Sequence, residues 1–561
     1  MEIREFLKRS YAKDYIFDIV HYDIEYVIDA SNHVFTSSQK ITFKCKGCKD
    51  VKRIEGGIQG HLAVDSVELF LEGSKQRILC HWEIQEFEGP YIRREGFEGI
   101  YSKLVVVHVD GSVNPEKEMI LQISLHMPEE EILKSKPLHM WSFCINNEVC
   151  YAVDPYAGQY FMLIPSTFSA PFNITVKYPK GQSACLPGQV LSKTCEGNYI
   201  TEHYRSETDN IPAFAISDYK KISRQKEALG IEFYLYPHQS VNGKTVDRIL
   251  EIIQLYITTF GDNGMRFYRF ATVGETPSRL PGGENKGNTI FYPEEFFSKD
   301  LSEQSAFLNF VSTNSHEIYH NWNLFHSSVN GVLSEWFAEG GANFTAAWAI
   351  ERTIGVDEGV IVREAYLKDY LENEGFKSSE PLAMASKLSG DKSRALMYDF
   401  GALVWEQLRQ KIGETALING LAHFYEEYPF QSRTIDDFFA CLQDITEVDV
   451  REYMDQWANY NTRIELSIEN VNYEEINRIG KCEVTVQTKG DRDYELFTEL
   501  GYKSAEESRW NIIPIHFTKQ GEKNKISFDC KLKPVIIQLD PFCRVPHINI
   551  ENCVWRLPRS G

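Results

Sequence analysis

The 561-residue chain lacks an excess of basic residues and lacks any long apolar run. Its 59 Lys and Arg residues stand against 80 Asp and Glu residues, and the net charge of −21 disfavours sequence-independent binding to phosphate backbones or anionic lipid. No apolar run approaches the roughly 18 residues that a membrane-spanning helix needs. We therefore expect neither nucleic acid nor a membrane as a partner.

Cysteines are also scarce, and an apolar leader is missing from the first residues. MEIREFLKRSYAKDY contains no apolar segment of the kind found in signal peptides. Twelve cysteines in 561 residues are too few for a disulfide scaffold, so we expect mostly free thiols. Cys45-Lys-Gly-Cys48 would need two more ligands for a structural zinc site, with Cys80 the nearest candidate, and a hairpin with Lys-Gly at its turn explains the pattern without a metal. These features favour a cytoplasmic location.

The hydrophobic pattern changes twice along the chain. Runs such as SVELFL, KLVVVHV and ILQISLHM alternate or are rich in β-branched residues, which predicts an N-terminal all-β domain over residues 1–228. Helical spacing dominates from VDRILEIIQLYITTF onward and predicts a helix-rich domain over 229–462. Alternation returns after that and predicts a β-sandwich over 463–561. The expected fold class is therefore multidomain α+β.

A pair of histidines lies within a predicted helix over residues 305–323. His316, Glu317 and His320 form an H-E-x-x-H pattern in the segment SHEIYHNW. At helical pitch the two histidines lie one turn apart on one face, so both imidazoles can reach one zinc ion. Ordinary hydrogen-bonded histidines on a helix face are the alternative interpretation.

An acidic residue on the next predicted helix supplies a third ligand. Glu339 follows His320 by 19 residues, in the segment SEWFAEGGANF. Two histidines and one glutamate leave the fourth tetrahedral position open, which is typical of a catalytic rather than a structural zinc site. Zinc lowers the pKa of water and polarises a carbonyl, while Glu317 can act as the general base. The pattern predicts hydrolysis of an acyl bond.

These residues resemble the gluzincin metallopeptidases of the aminopeptidase N family, peptidase family M1. The family's zinc signature is H-E-x-x-H, eighteen residues and then E, and residues 321–338 number eighteen. Trp322 matches a Trp two residues after the second His, and WFAEGGA resembles the family's W-L-N-E-G-F-A. The resemblance implies a thermolysin-like catalytic domain between an N-terminal β-rich saddle domain and a C-terminal β-sandwich, without the helical fourth domain of larger members.

The resemblance also implies a segment that holds the free amine of a peptide substrate. The family's G-x-M-E-N-W-G is matched in LPGGENKGNTIFYP by Glu284, Asn285 and Gly287. Gly283 replaces the family's Met and Lys286 its Trp. We expect Glu284, with Asn285 and Gly283, to bind substrate through the charge attraction between a carboxylate and an ammonium group.

A tyrosine after the zinc ligands matches the family's oxyanion donor. In YDFGALVWEQLRQKIG, Tyr398 and Gly401 match the Y-x-K-G pattern, and Phe400 replaces the Lys. A phenol O–H aimed at the developing charge supports the metal ion in that task. A core tyrosine on an amphipathic helix is the alternative.

We therefore expect a metallopeptidase with one Zn²⁺ per chain that removes N-terminal residues from peptides. Two alternatives stay open. A zinc endopeptidase, or a dedicated peptide-maturation protease of the same fold, is favoured by Pro281, Gly283 and Lys286, which disturb the amine-holding segment. A non-catalytic binding scaffold would keep the fold without the chemistry.

Overall fold

The structure, a computed structural model, combines β-rich and helix-rich parts, which confirms the predicted α+β class. It describes residues 17–45, 50–73, 76–86, 102–111, 113–114, 117–136, 143–153, 162–163, 170–274, 282–372, 380–387, 390–460, 463–476 and 479–557. The chain divides into two compact units, of which the first comprises Met1–Leu250 and Gly264–Phe307 and the second Glu251–Asn263 and Leu308–Gly561. The three domain boundaries drawn from the sequence stay a prediction.

An eight-stranded sheet dominates the first unit. One parallel pairing, between Phe17–Asp29 and Ala170–Pro179, joins otherwise antiparallel neighbours. The strands run across the sheet in the order Gln189–Glu196, Tyr199–Asn210, Ala170–Pro179, Phe17–Asp29, Val34–Cys45, Met119–His126, Ala63–Leu71 and Gln76–Ile78.

Alternation in sequence explains why these strands pack as they do. In Met119–His126 the side chains of Met119, Leu121, Ile123 and Leu125 are buried, and the four alternate residues are partly exposed. Successive side chains of a strand point to opposite faces, so one face enters the core. The strand interpretation of ILQISLHM is therefore confirmed.

Three smaller sheets complete the first unit. Two have four strands, in the orders Ser183–Cys185, Phe214–Ser217, Val149–Ala152, Phe143–Ile145 and Met162–Leu163, Arg53–Gln59, Ser102–Val109, Cys80–Glu86. The third is a five-stranded mixed sheet with the order Lys220–Lys226, Leu229–Leu235, Phe267–Thr272, Thr289–Tyr292, Glu284–Lys286. Its last strand carries the predicted amine-holding residues at the edge of the sheet.

Helices predominate in the first part of the second unit. Gln304–Asn323, which bears the paired histidines, is buried on all sides over its C-terminal two thirds. The α-helices among the described residues are Glu129–Lys134, Gly243–Phe260, Gln304–Asn323, Gly341–Thr353, Val356–Glu372, Gly390–Arg394, Gly401–Ile412, Glu414–Glu427, Ile435–Gln443 and Val450–Ala458, with 3-10 turns at Ala30–Asn32, Glu294–Phe297, Leu382–Lys387 and Glu551–Cys553.

Two helices that the sequence predicts as continuous are interrupted by π-helical turns. The predicted helix over 333–353 contains the π-turn Trp336–Gly340, and the one over 395–413 begins with the π-turn Ala395–Phe400. A π-turn inserts one extra residue without changing the apolar character of the segment, so hydrophobic spacing does not reveal it. Such turns occur frequently at functional sites.

The last hundred residues form two antiparallel sheets. One contains Ile464–Ile476, Ile479–Gly490 and Lys523–Cys530, and the other Asn511–Phe517, Leu496–Ser504, Pro534–Leu539 and Val554–Arg556. A two-stranded parallel pair, Ser327–Asn330 with Gln431–Thr434, lies within the helical part.

Two expectations from composition can be compared with the structure. Among the described residues, the helices are all too short or too polar to span a membrane. Each described cysteine is a free thiol, Cys45 included, whereas Cys48 lies outside the described residues.

Candidate functional site

The two histidines of the helix Gln304–Asn323 face each other at close range. His316 and His320 lie one turn apart, and their ring centroids are 4.7 Å apart with the planes nearly perpendicular. The two Nε2 atoms are separated by 3.1 Å, and both side chains are buried. The face that helical pitch predicts is therefore formed, and both Nε2 lone pairs point to one place.

Glu339 reaches the same place from the π-turn Trp336–Gly340. Its Oε2 atom lies 3.2 Å from Nε2 of His316 and 3.5 Å from Nε2 of His320. The ligand atoms of these three residues all lie within 4.8 Å of one another, and the three residues are the one group of this kind in the part of the chain that the structure describes. They could hold a metal ion.

Within the triad, the positive charge of His320 and the negative charge of Glu339 stabilise each other. Burial by itself would lower the pKa of His320, but the Glu339 carboxylate, aided by Glu317, outweighs it and raises the pKa to about 9. Burial likewise opposes ionisation of Glu339, yet the charge of His320 and hydrogen bonds from both imidazoles hold the pKa of Glu339 well below its ordinary value. Because a histidine must lose its proton to ligate a metal, a bound cation would replace that proton.

Two asparagines contact the Nδ1 atoms of the histidines, on the side of each ring opposite the triad-facing Nε2. Neither asparagine is among the residues predicted from the sequence. Asn343 Oδ1 lies 2.8 Å from Nδ1 of His316, and Asn323 Oδ1 lies 3.1 Å from Nδ1 of His320. An Nδ1–H that donates to an amide oxygen leaves Nε2 as the lone-pair nitrogen. The signal for both is spacing, because Asn323 follows His320 by three residues and Asn343 follows Glu339 by four.

Tyr256 ties together the two elements that carry the ligands. Its hydroxyl lies 3.3 Å from the carbonyl oxygen of Ser315 and 3.2 Å from that of Thr345. Ser315 precedes His316, and Thr345 is on the helix that follows Glu339. The distance between the two ligand-bearing helices is thereby fixed close to the site.

Glu317 and Tyr398 complete the cluster. Glu317 is buried, and its charge contributes to the raised pKa values of both His320 and Tyr398. The Tyr398 ring stacks on His316 with centroids 5.7 Å apart and planes 10° apart. Burial first, and then the Glu339 charge, raises the pKa of Tyr398 well above its ordinary value, so the phenol keeps its proton.

Arg394 and Asp399 lie beside Tyr398. The Arg394 guanidinium is 5.5 Å from the centre of the Tyr398 ring, a cation–π contact, and its Nη1 is 4.0 Å from Oδ2 of Asp399. Burial raises the pKa of Asp399 to about 7, although the charge of Arg394 opposes the rise. These contacts hold the tyrosine ring from its own helix.

The predicted amine-holding residues belong to the first compact unit. One of them, Glu284, forms an ion pair with Lys286. In the edge strand Glu284–Lys286, Nζ of Lys286 lies 2.5 Å from Oε1 of Glu284. The Lys286 side chain is 3% exposed and that of Glu284 28%. Gly287 turns the chain with a φ of 68°, where a Cβ would collide with the Asn210 side chain.

The structure also describes Asn285 and Gly283 of this segment, but not Pro281. Asn285 is buried in the edge strand, and Gly283 precedes it. Pro281 lies outside the described residues. The structure thus brings His316, His320, Glu339, Glu317 and Tyr398 together in one unit, and it describes Gly283, Glu284 and Asn285 in the other.

The chain is similar in sequence to several aminopeptidases. Residues 269–457 match the model of the Peptidase family M1 domain. Glutamyl aminopeptidase of Rattus norvegicus is 22% identical over 375 residues, which cover 63% of this chain and 37% of that protein. Aminopeptidase 2, mitochondrial, of Saccharomyces cerevisiae is 20% identical over 309 residues, which cover 53% and 32%. The chain thus spans about a third of the length of these relatives.

A solved structure shares the fold. The crystal structure of Legionella pneumophila aminopeptidase A in complex with aspartic acid superposes with a TM-score of 0.66 and 14% sequence identity. The match covers 96% of this chain and 60% of that one. Family M1 is a family of metallopeptidases, and the buried triad lies within the matched residues 269–457. Residues 269–457 of the chain are thus similar to the catalytic domain of peptidase family M1.

Proposed function

We propose that this chain is a zinc-dependent metallopeptidase that removes N-terminal residues from peptides. The observation that carries the proposal is the buried convergence of His316, His320 and Glu339, with Glu317 and Tyr398 beside them. The match of residues 269–457 to a metallopeptidase family supports the same chemistry. Peptides are the proposed substrates, and a cytoplasmic location stays a prediction of the sequence.

The donor set fits one zinc ion per chain. Tetrahedral zinc ligands at about 2.0–2.1 Å from the metal lie about 3.3 Å from one another. The three separations among the two Nε2 atoms and the Glu339 oxygen are 3.1, 3.2 and 3.5 Å. Two imidazoles and one carboxylate are a ligand set of catalytic zinc, with the fourth position open for water or substrate.

The residues around the triad can divide the work of peptide hydrolysis. When bound, zinc supplies Lewis-acid chemistry, since it lowers the pKa of water and polarises the peptide carbonyl. Glu317 accepts the proton of the attacking water and passes it to the leaving amine. Tyr398 keeps its proton because its pKa is raised, and its O–H donates to the oxygen on which negative charge develops.

Glu284 is the proposed anchor of the substrate's α-amine, with Asn285 and Gly283 shaping the strand around it. The support is the match to the family segment, together with a carboxylate that stays partly exposed at a sheet edge. Charge-assisted hydrogen bonds between a carboxylate and an ammonium group are among the stronger polar contacts.

The ion pair between Lys286 and Glu284 favours a second candidate function. A buried lysine already neutralises the proposed anchor, so a substrate amine must compete with it. An enzyme in which the pair stays closed would cleave internally, or mature one dedicated peptide, without needing a free amine. A binding scaffold without catalysis is the third possibility, and it predicts no dependence on Glu317.

One set of measurements separates these possibilities. Zinc content is measured on the purified protein, and aminoacyl fluorogenic substrates, glutamyl and aspartyl among them, are compared with their N-acetylated forms. We expect one zinc per chain and cleavage of the free substrates alone. Equal cleavage of free and acetylated substrates would replace the exopeptidase proposal by the endopeptidase one. Protein without zinc, with activity unchanged in Glu317→Gln, would support the scaffold.

A further inference from the structure

The two π-turns of the catalytic region pack directly on each other. Trp336–Gly340 carries Glu339, and Ala395–Phe400 carries Tyr398. Gly340 is the last residue of the first turn, and Gly401 immediately follows the second. The proposed metal ligand and the proposed oxyanion donor are therefore one and three residues from a glycine.

The backbones meet at these two glycines with no space for a side chain. A Cβ on Gly340 would lie 2.9 Å from the carbonyl oxygen of Met397 and 3.0 and 3.1 Å from the C and Cα atoms of Gly401. A Cβ on Gly401 would lie 3.3 Å from Cα of Gly340. Since these atoms belong to the backbone, a side chain at residue 340 would move the second turn as a whole.

Two tryptophans, Trp336 and Trp405, form hydrogen bonds across the contact between Gly340 and Gly401. The indole Nε1 of Trp336 donates to the carbonyl oxygen of Gly401 at 3.2 Å, and that of Trp405 donates to the carbonyl oxygen of Trp336 at 3.2 Å. The two rings stack with centroids 4.4 Å apart, and both are buried. Two hydrogen bonds in opposite directions thus tie the first turn to the helix Gly401–Ile412, which continues from the second turn.

The first turn is also tied to the histidine helix. Nδ2 of Asn323 donates to the carbonyl oxygens of Phe337 and Ala338, which directly precede Glu339. A displacement at the glycine contact would therefore move the second turn and leave the three proposed ligands together. The contact and the metal site can be perturbed separately.

We propose that Gly340 and Gly401 are positioning residues, whose backbone contact sets the Tyr398 hydroxyl at its working distance from the metal-binding triad. This inference rests on the proposed function. Misplacement of a catalytic group by about 1 Å can cost on the order of 100-fold in rate. A Cβ at the contact is expected to produce such a misplacement.

The test compares alanine substitutions at three glycines, the two at the contact and one beside it. Gly340→Ala is expected to lower kcat about 100-fold, and Gly401→Ala less, because its Cβ contacts are looser. KM and zinc stoichiometry should stay within twofold. Gly341→Ala is the matched control, since its Cβ would lie 3.5 Å from atoms of the Trp405 side chain, an ordinary contact, and it should keep wild-type kcat.

Two further measurements decide between positioning and general structure. Combined with Tyr398→Phe, Gly340→Ala should add no further loss, because both changes remove the same interaction. Crystal structures of the variants should show the Tyr398 hydroxyl displaced by about 1 Å from Glu339 in Gly340→Ala, and undisplaced in Gly341→Ala. Fully additive losses, loss of zinc, or an undisplaced hydroxyl would overturn the inference.

The same experiment distinguishes this inference from the proposed function. A wild-type protein that binds no zinc and cleaves no substrate would refute the proposed function, while the position of the Tyr398 hydroxyl would still decide the inference. An active wild type with an equally active Gly340→Ala variant would refute the inference alone. If Gly340→Ala fails to fold, Gly401→Ala decides by the same criteria.

Discussion

Asn323 Oδ1 lies 3.1 Å from Nδ1 of His320, while Nδ2 of the same amide donates to the carbonyl oxygens of Phe337 and Ala338. The two carbonyl acceptors fix which end of the amide carries the nitrogen, so the oxygen faces the imidazole. One side chain thereby orients a histidine of the triad and the turn that presents Glu339. The H-E-x-x-H pattern of the metal ligands does not by itself predict that an asparagine holds both elements.

Replacement of Asn323 is expected to weaken metal binding. In Asn323→Ala, His320 loses the acceptor that holds Nε2 toward the triad, and loss of such a partner typically costs 10- to 100-fold in metal affinity. Competition with a fluorescent zinc chelator measures this. Asn323→Asp keeps an acceptor for Nδ1 and loses the donation to the turn, so its affinity should lie between alanine and wild type. Equal affinity in all three proteins would contradict this role.

Glu317→Gln is expected to abolish most of the activity while the metal stays bound. The amide has nearly the size of the carboxylate but cannot accept the proton of water, and loss of a general base costs on the order of 10²- to 10⁴-fold. Steady-state kcat and zinc content are measured together. Glu303→Gln, an exposed glutamate just before the same helix, is the control and should change neither. A Glu317→Gln variant with wild-type kcat would exclude the assigned role.

Tyr398→Phe is expected to lower kcat by about 100- to 1000-fold with a small effect on KM. The change removes one O–H that donates to the developing oxyanion, a contact that is made only as the reaction proceeds. Tyr425→Phe is the matched control, because its buried hydroxyl lies 2.5 Å from that of Tyr319 and serves packing. The control should lose stability in a thermal melt and keep kcat. If Tyr398→Phe lost thermal stability and kept wild-type kcat, Tyr398 would be a core residue rather than the oxyanion donor.

The histidine helix and its ligands could be predicted because their signals are local. His316 and His320 are four residues apart on a helix, and alternation in Met119–His126 gives a strand with one buried face. The π-turns could not be predicted, since the turn Trp336–Gly340 packs against residues 397–401, about 60 residues away in sequence. Local propensity contains no information on that contact.

The amine-holding segment shows the same limit. The sequence identifies Lys286 as a departure from the family pattern, and its position suggests a pair with Glu284. The burial of the lysine depends on the neighbouring strand Thr289–Tyr292, with which the edge strand pairs, and on the turn at Gly287. Such burial is a property of the folded sheet rather than of the segment.

Lys286→Met tests whether the ion pair restrains the anchor. Without the ammonium group, a substrate amine no longer competes with Lys286 for Glu284, so KM for free aminoacyl substrates should fall, by roughly tenfold for a contact worth about 1.4 kcal/mol. N-acetylated substrates should be unaffected. Lys221→Met, at another lysine–glutamate pair in the same sheet, is the control. A raised KM in Lys286→Met would mean that the lysine positions Glu284 instead of competing for it.

Arg544→Met is expected to lower the free energy of unfolding of the second unit, because it changes a buried ion-pair cluster and none of the residues of the metal-binding triad. Nη1 of Arg544 lies 2.9 Å from Oε1 of Glu499, and its Nε lies 3.6 Å from Oε2 of Glu406; both carboxylates are buried. Removal of Arg544 leaves the buried Glu499 carboxylate without this cation, whereas Glu406 keeps its ion pairs with Arg363 and Arg409. An uncompensated buried charge costs about 3–5 kcal/mol in the free energy of unfolding. Lys525→Met breaks a largely exposed pair with Glu483 and should cost less than about 1 kcal/mol. Urea denaturation measures both. Equal losses would mean that the buried charges of the Arg544 cluster are satisfied by water rather than by the arginine.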